Sequence, residues 1–298
     1  MSPAAPLPLC IVTGPPRSGT TLLSYWLKSH PDVFAGFELG ALQGFPPPFS
    51  EYLALPGPHW GMRVDDELLA RLRAMSVAER YRYVAEHKGE ATCEDAGDAH
   101  QEHLRAARFF VDKTPRYVYR FSETCAAAPS TVPIVLIAKC FATMRASFAR
   151  RDDVADADHL ARVIAGHMLR ALAHARASPQ RVLVICYDAL VRDWAATTAR
   201  VAAHVRRHNP ALPPGEFSLA ALARKLGACS WTALRVPRTR VPRAQSALGA
   251  HYDAQLLAAA RASGANPAVL DAMFAPAPLL AHGPGAAARA RQSAALMR

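Results

Sequence analysis

LCIVTGPPRSGTTLL, residues 9–23, decides the reading of this chain, because an apolar run passes through a glycine-bounded turn straight into a helical pattern. Gly14 and Gly19 stand at the G-x-x-x-x-G spacing of a P-loop, in which turn N–H groups and the N-terminus of the next helix hold a phosphate. A nucleotide-hydrolysing P-loop continues with Lys and then Ser or Thr. Here Thr20 and Thr21 follow, and Arg17 is the cation inside the turn. The stretch therefore reads as an anion cradle that lacks the lysine and Mg²⁺ chemistry of that class.

Outward from the turn, strand and helix signals alternate. A helix is expected over about 20–29, with Leu22, Leu23, Trp26 and Leu27 on one face. His30-Pro31 ends it, since proline disfavours helical geometry in the residue before it, and Val33-Phe34-Ala35 resumes as extended chain towards Gly36 and Glu38. Residues 42–103 change character, from a Pro-rich loop (Phe45 to Phe49) to charged helical segments over 65–75 and 77–86, and read as an inserted helical cap. Strand signals return at 108–111, 132–138 and 181–186, and helical patterns follow at 142–151, 155–176 and 194–207. Continuous apolar strands alternating with amphipathic helices predict an α/β fold, a P-loop-like parallel sheet with helices on both faces. Ligands of such sheets bind beyond the carboxyl ends of the strands. Past Pro213 the pattern predicts helices over 217–227 and 250–263 with a basic loop over 235–243 between them. The Ala/Arg-rich tail, about 283–298, reads as disordered or loosely helical, and no internal repeat is present.

At 298 residues the chain is long enough for one large domain, expected to span 1–298. Its composition, 51% apolar and 20% charged, is that of a globular protein; no apolar run reaches bilayer length, and the N-terminus has neither a basic nor an apolar leader region. A soluble, cytoplasmic protein is expected. The net charge of +11 raises nucleic acid as a partner, yet the arginines are scattered and no basic-aromatic RNA module is visible, so no nucleic-acid role is expected. Cys10, Cys93, Cys125, Cys140, Cys186 and Cys229 show no C-x-x-C pair and no metal-ligand spacing, and read as buried thiols in a reducing compartment.

Four separated segments carry a family resemblance. GPPRSGTTLLSYWLKSHPDVFAGFELG, residues 14–40, resembles the 5′-phosphosulfate-binding loop of the sulfotransferases, above all the bacterial and protein-tyrosine branches, where P-R-S-G-T-T-L precedes H-P and a G-x-E element. Val111-Asp112-Lys113-Thr114-Pro115 resembles the K-[TS]-P segment, Lys139 through Ser147 the 3′-phosphate strand and helix, and Tyr187-Asp188-Ala189-Leu190 the Y-E-D-L element. The four stand in family order over about two thirds of the chain.

The resemblance implies a transferase that moves a sulfuryl group in line, without metal, from 3′-phosphoadenosine 5′-phosphosulfate (PAPS, leaving PAP) to an acceptor hydroxyl. By their match to the motifs, Arg17, Ser18, Gly19, Thr20 and Thr21 would bind the 5′-phosphosulfate, while Lys139 and Ser147 would bind the 3′-phosphate. Lys113 would stabilise charge on the leaving group, together with Arg17, and Glu38 would be the base, with His59 as the competing base. Aromatic residues at the cap entry favour a small-molecule or ring-bearing acceptor. Two departures stand out. The family's arginine at the 3′-phosphate site is Lys139 here, followed by Cys140-Phe141 in place of polar residues, and the C-terminal glycine-rich loop is absent, its nearest counterpart being Arg235 to Arg243. The rival readings are a P-loop small-molecule kinase and a non-catalytic nucleotide-binding homologue.

Overall fold

The computed structural model describes residues 7–35, 40–43, 66–87, 107–150, 155–215, 217–218 and 246–274. Five short strands, β1 (Cys10–Thr13), β2 (Val33–Ala35), β3 (Phe109–Lys113), β4 (Ile134–Ala138) and β5 (Val182–Cys186), form one sheet in the order β2-β3-β1-β4-β5. Every pairing is parallel. The glycine-bounded turn thus leaves the central strand, and β3 and β4 end on either side of it.

Such a sheet needs cover on both faces, and the residues divide accordingly. Ile134, Leu136 and Ala138 of β4 join one apolar cluster, while Val135 and Ile137 join the other, as the two-residue period of a strand requires. On the first face lie α5 (Phe141–Phe148), α6 (Ala157–Ala177) and α9 (Ala247–Ala262). On the second lie α1 (Thr20–Lys28) and α8 (Trp194–His208), joined by an edge-to-face contact of Trp26 and Trp194 at 6.4 Å. No described helix is long and apolar enough to cross a membrane.

The α/β expectation holds, with strand and helix bounds close to those read from the pattern. Among the described residues five elements escaped it: a 3-10 turn Pro115–Arg120 running into α4 (Phe121–Ala127), the short α7 (Tyr187–Arg192), α10 (Pro267–Phe274) and a 3-10 turn Ala41–Gln43. The first two are too short for a hydrophobic period to register, and proline at the start of the 3-10 turn mimics a loop.

Of the expected cap, α2 (Asp66–Ala74) and α3 (Val77–Glu86) are described. A capping box starts α3: Ser76 Oγ accepts from the Glu79 N–H at 3.3 Å, and the Ser76 N–H donates to Glu79 at 2.7 Å. Arg80 then donates to the carbonyls of Leu72 at 2.8 Å, Arg73 at 3.0 Å and Ala41 at 2.8 Å, tying both cap helices to the chain that leaves β2. The Pro-rich entry, the 217–227 helix apart from Phe217 and Ser218, the 235–243 loop and the 283–298 tail lie outside the described residues.

The two ends of the sheet have different tasks. At the amino ends Arg181 donates to the carbonyls of Val132, Cys125, Ala128 and Pro129, closing the gap between α4 and β5. At the carboxyl ends the chemistry-bearing residues collect.

Candidate functional site

β1 ends at Thr13, and the turn that follows is built on unusual backbone: Gly14 has φ 152°, Arg17 φ 68° and Gly19 φ 93°. Arg17 is the single non-glycine residue with positive φ among the described residues. The glycines are required for space as well as for angle. A Cβ on Gly14 would lie 1.9 Å from the Ile137 carbonyl oxygen, and one on Gly19 would lie 2.3 Å from the Tyr187 ring. The turn closes by a hydrogen bond from the Ser18 N–H to the Pro15 carbonyl at 3.1 Å. That N–H is therefore spent internally, and Ser18 is left with its hydroxyl to offer. Its Oγ is buried and has no hydrogen-bond partner.

Gly19 is the N-cap of α1, with no side-chain cap and no acidic residue in the first turn, so the helix presents its positive end uncovered. Thr20 is buried there and Thr21 half-buried. An unpartnered buried hydroxyl beside an uncapped helix start, in a turn only glycine can make, fits an oxyanion of a phosphate or sulfate group.

Lys113 closes β3 directly beside Val12 of β1. The Thr114 N–H donates to the Val12 carbonyl at 3.1 Å and Thr13 Oγ1 donates to the Pro115 carbonyl at 3.1 Å, so the end of β3 is tied to the start of the turn. Lys113 is 1% exposed, a depth at which a lysine amine is held by its surroundings rather than by water.

Lys139 follows β4 on the other side. Its Nζ lies 4.4 Å from the centroid of the Tyr187 ring, whose edge occupies the space a side chain at Gly19 would need. Tyr187 is thus the contact that joins the two halves of the site. Burial pushes the Lys139 amine down to about 8; Asp188 opposes this, and Arg17 and Arg150 add repulsion. Ser147 lies buried in α5, the helix that begins two residues after Lys139. Arg145 is turned to an exposed pair with Asp158 at 3.1 Å. Arg17, Ser18, Gly19, Thr20, Thr21, Lys113 and Lys139 accordingly stand at the ends of β1, β3 and β4, and Ser147 lies further along α5. Glu38, His59 and the Arg235–Arg243 loop lie outside the described residues.

A second layer had no sequence signal beyond the residue beside Lys113. Asp112 is fully buried and accepts from Tyr81 Oη at 3.0 Å, Tyr117 Oη at 2.9 Å and Thr114 Oγ1 at 2.9 Å. Those hydroxyls reach further, since Thr114 Oγ1 accepts from the Gly40 N–H at 2.8 Å and Tyr117 Oη from the Leu42 N–H at 3.0 Å. One carboxylate therefore fastens cap helix α3, the chain after β2 and the end of β3 together. Burial pushes its carboxyl up to about 6, against the three hydroxyls and Lys113, which hold it down. The folded protein thus retains a proton here, between pH about 4 and about 6, that the unfolded chain has released. The group makes stability fall by about 3 kcal/mol as pH rises through that window, and level off above it. Asp112→Asn is expected to flatten this slope; urea unfolding midpoints at pH 4.5 and 7 check it, and an unchanged difference between them refutes it.

A family model described as the sulfotransferase family matches residues 8–208. Nodulation protein NoeE of Sinorhizobium fredii is 35% identical over 119 residues, 38% of this chain and 25% of that protein. The chain thus matches about a quarter of the length of that relative. Among solved structures, the sulfotransferase domain of the Synechococcus PCC 7002 olefin synthase superposes with a TM-score of 0.45 at 18% identity, covering 85% of this chain and 95% of that one. Sulfotransferase STF9 from Mycobacterium avium gives 0.40 at 16% identity, covering 92% and 76%. The matched stretch takes in all five strands, the glycine-bounded turn, Lys113, Lys139 and Ser147, and on it the chain belongs to the sulfotransferase family.

Proposed function

We propose that the protein transfers a sulfuryl group from PAPS to the hydroxyl of a small-molecule or ring-bearing acceptor, in line and without metal. The observation that carries this reading is the buried, unpartnered Ser18 Oγ in the Gly14–Gly19 turn, set at the uncapped start of α1. Arg17, Ser18, Gly19, Thr20 and Thr21 hold the 5′-phosphosulfate end. Lys139 and Ser147, on the neighbouring strand end and helix, hold the 3′-phosphate. When bound, the donor supplies an activated sulfuryl group with a phosphate leaving group. Lys113 and Arg17 place positive charge where that leaving group gains negative charge. Glu38 takes the proton from the acceptor hydroxyl, and His59 is the alternative base. The cap, anchored through Asp112 and Arg80, borders the acceptor side. Cys10, Cys125, Cys140 and Cys186 are buried and in no disulfide, which supports work in a reducing cytoplasm.

Thermal unfolding with PAP, with ATP and with ATP plus Mg²⁺ tests the donor. A rise in Tm of several degrees is expected with PAP at about 100 times its Kd, and no comparable rise with ATP and Mg²⁺. Arg17→Ala and Ser147→Ala are each expected to weaken PAP binding about 10- to 100-fold. Absence of a PAP response overturns the reading, and a response to ATP that requires Mg²⁺ replaces it with kinase chemistry.

A further inference from the structure

Next to Lys139, on the side of the sheet covered by α5 and α9, two thiols and the Asp188 carboxylate meet in a buried cluster. Cys140 Sγ and Cys186 Sγ are 3.9 Å apart. Two 2.3 Å zinc–sulfur bonds at a tetrahedral angle place their sulfurs about 3.8 Å apart. The two sulfurs and one Asp188 oxygen all lie within 4.8 Å of one another, and all three residues are buried. A point within about 3 Å of all three ligand atoms therefore exists, and a contraction of well under 1 Å brings it to zinc-bond length.

Two contacting neutral thiols would show the same sulfur separation; the carboxylates distinguish the cases. Asp188 accepts from the Cys140 N–H at 2.8 Å and Asp253, from α9, accepts from the adjacent Phe141 N–H at 2.7 Å. The other Asp253 oxygen, Oδ2, is buried and accepts from nothing, in a residue only 5% exposed. A buried oxygen without a donor is a cost that a cation within its reach would remove.

We propose that Cys140, Cys186 and Asp188 bind a zinc-class d¹⁰ divalent cation, with the Asp253 carboxylate closing the site. The site is structural. It joins the ends of β4 and β5 to the start of α5, next to Lys139, and takes no part in sulfuryl transfer. Its occupancy would fix the strand end from which Lys139 projects.

Full-length protein freed of metal with a chelator is titrated with Cd²⁺ as the probe. One equivalent per chain is expected, with the ultraviolet thiolate-to-cadmium charge-transfer band and a rise in Tm. The band should vanish in the Cys140→Ala/Cys186→Ala double variant and persist in Cys10→Ala/Cys125→Ala. Asp188→Asn and Asp253→Asn should weaken Cd²⁺ binding about 10- to 100-fold. No band in the wild-type protein, or a band that survives the double substitution, overturns the proposal. Should the double variant fail to fold, alkylation of the wild-type chain under partial denaturation decides it by mass mapping. Cd²⁺ must then shield Cys140 and Cys186 selectively, and equal labelling with and without Cd²⁺ overturns the proposal.

Discussion

Lys113→Met is expected to lower sulfuryl transfer by about 10²–10³-fold while leaving the Tm response to PAP within a few-fold of wild type. The magnitude is that of removing one preorganised donor from developing negative charge in a water-poor site. The selectivity follows from position. Lys113 ends β3, which β1 separates from β4 and Lys139, and the Gly14–Gly19 turn closes without it. Methionine keeps the unbranched stem that the buried pocket packs against and removes only the charge. Lys113→Arg should recover part of the rate, because the charge returns in a bulkier, planar head. Transfer of radiolabelled sulfate from PAPS to a mixture of phenols and alkyl alcohols reads the rate. Turnover unchanged in Lys113→Met sinks the assigned role, whereas loss of rate together with loss of the PAP response makes Lys113 a donor-binding residue instead.

The second large effect is at Gly14. A Cβ there would meet the Ile137 carbonyl oxygen at 1.9 Å, its carbon at 2.9 Å and Ser18 Oγ at 2.9 Å, on a backbone of φ 152° that L-residues rarely adopt. Two of those neighbours belong to the β4 backbone, which cannot rotate away, so the strand two residues before Lys139 has to move. Gly14→Ala is accordingly expected to cost about 3–5 kcal/mol of stability and to abolish the PAP response. Gly166→Ala is the matched control. Gly166 lies inside α6, where an added Cβ meets nothing within 4 Å, and alanine is the better helix former, so a gain of about 0.5–1 kcal/mol is expected. Urea unfolding of both variants checks the contrast; equal stabilities would refute the close approach of the turn to β4.

Much of this was legible in the sequence, and the reason is local. The strand-turn-helix at residues 9–23 needs only near neighbours to be recognised, and the apolar runs that became β4 and β5 are buried on both faces, so they read as unbroken hydrophobic stretches. The placement of Lys113 and Lys139 at strand ends followed from the same runs. What was not legible depends on pairing across large separations. Asp112 looks in sequence like one more acid beside a lysine; its meaning comes from Tyr81, 31 positions away, and from Gly40 and Leu42, which its hydroxyl partners hold. Tyr187 likewise becomes a site residue only because Gly19 leaves it room. Asp188 too takes its place from a distant partner, accepting from the Cys140 N–H 48 positions away.

The helix α9 gives the chain a consequence for dissection. The stretch matched to the family ends at residue 208, yet Tyr252 Oη of α9 donates to the Lys139 carbonyl at 2.8 Å and Asp253 accepts from Phe141, while Val184 of β5 donates to Ser263 at 3.0 Å. The helix α9 and the residue that follows it are therefore a brace against the segment from Lys139 to Phe141 and against β5. Cutting at the family boundary would bare the apolar flank of β5 and leave the Lys139 strand end without two of its fastenings, so the smallest unit that keeps that strand end in place extends through α9.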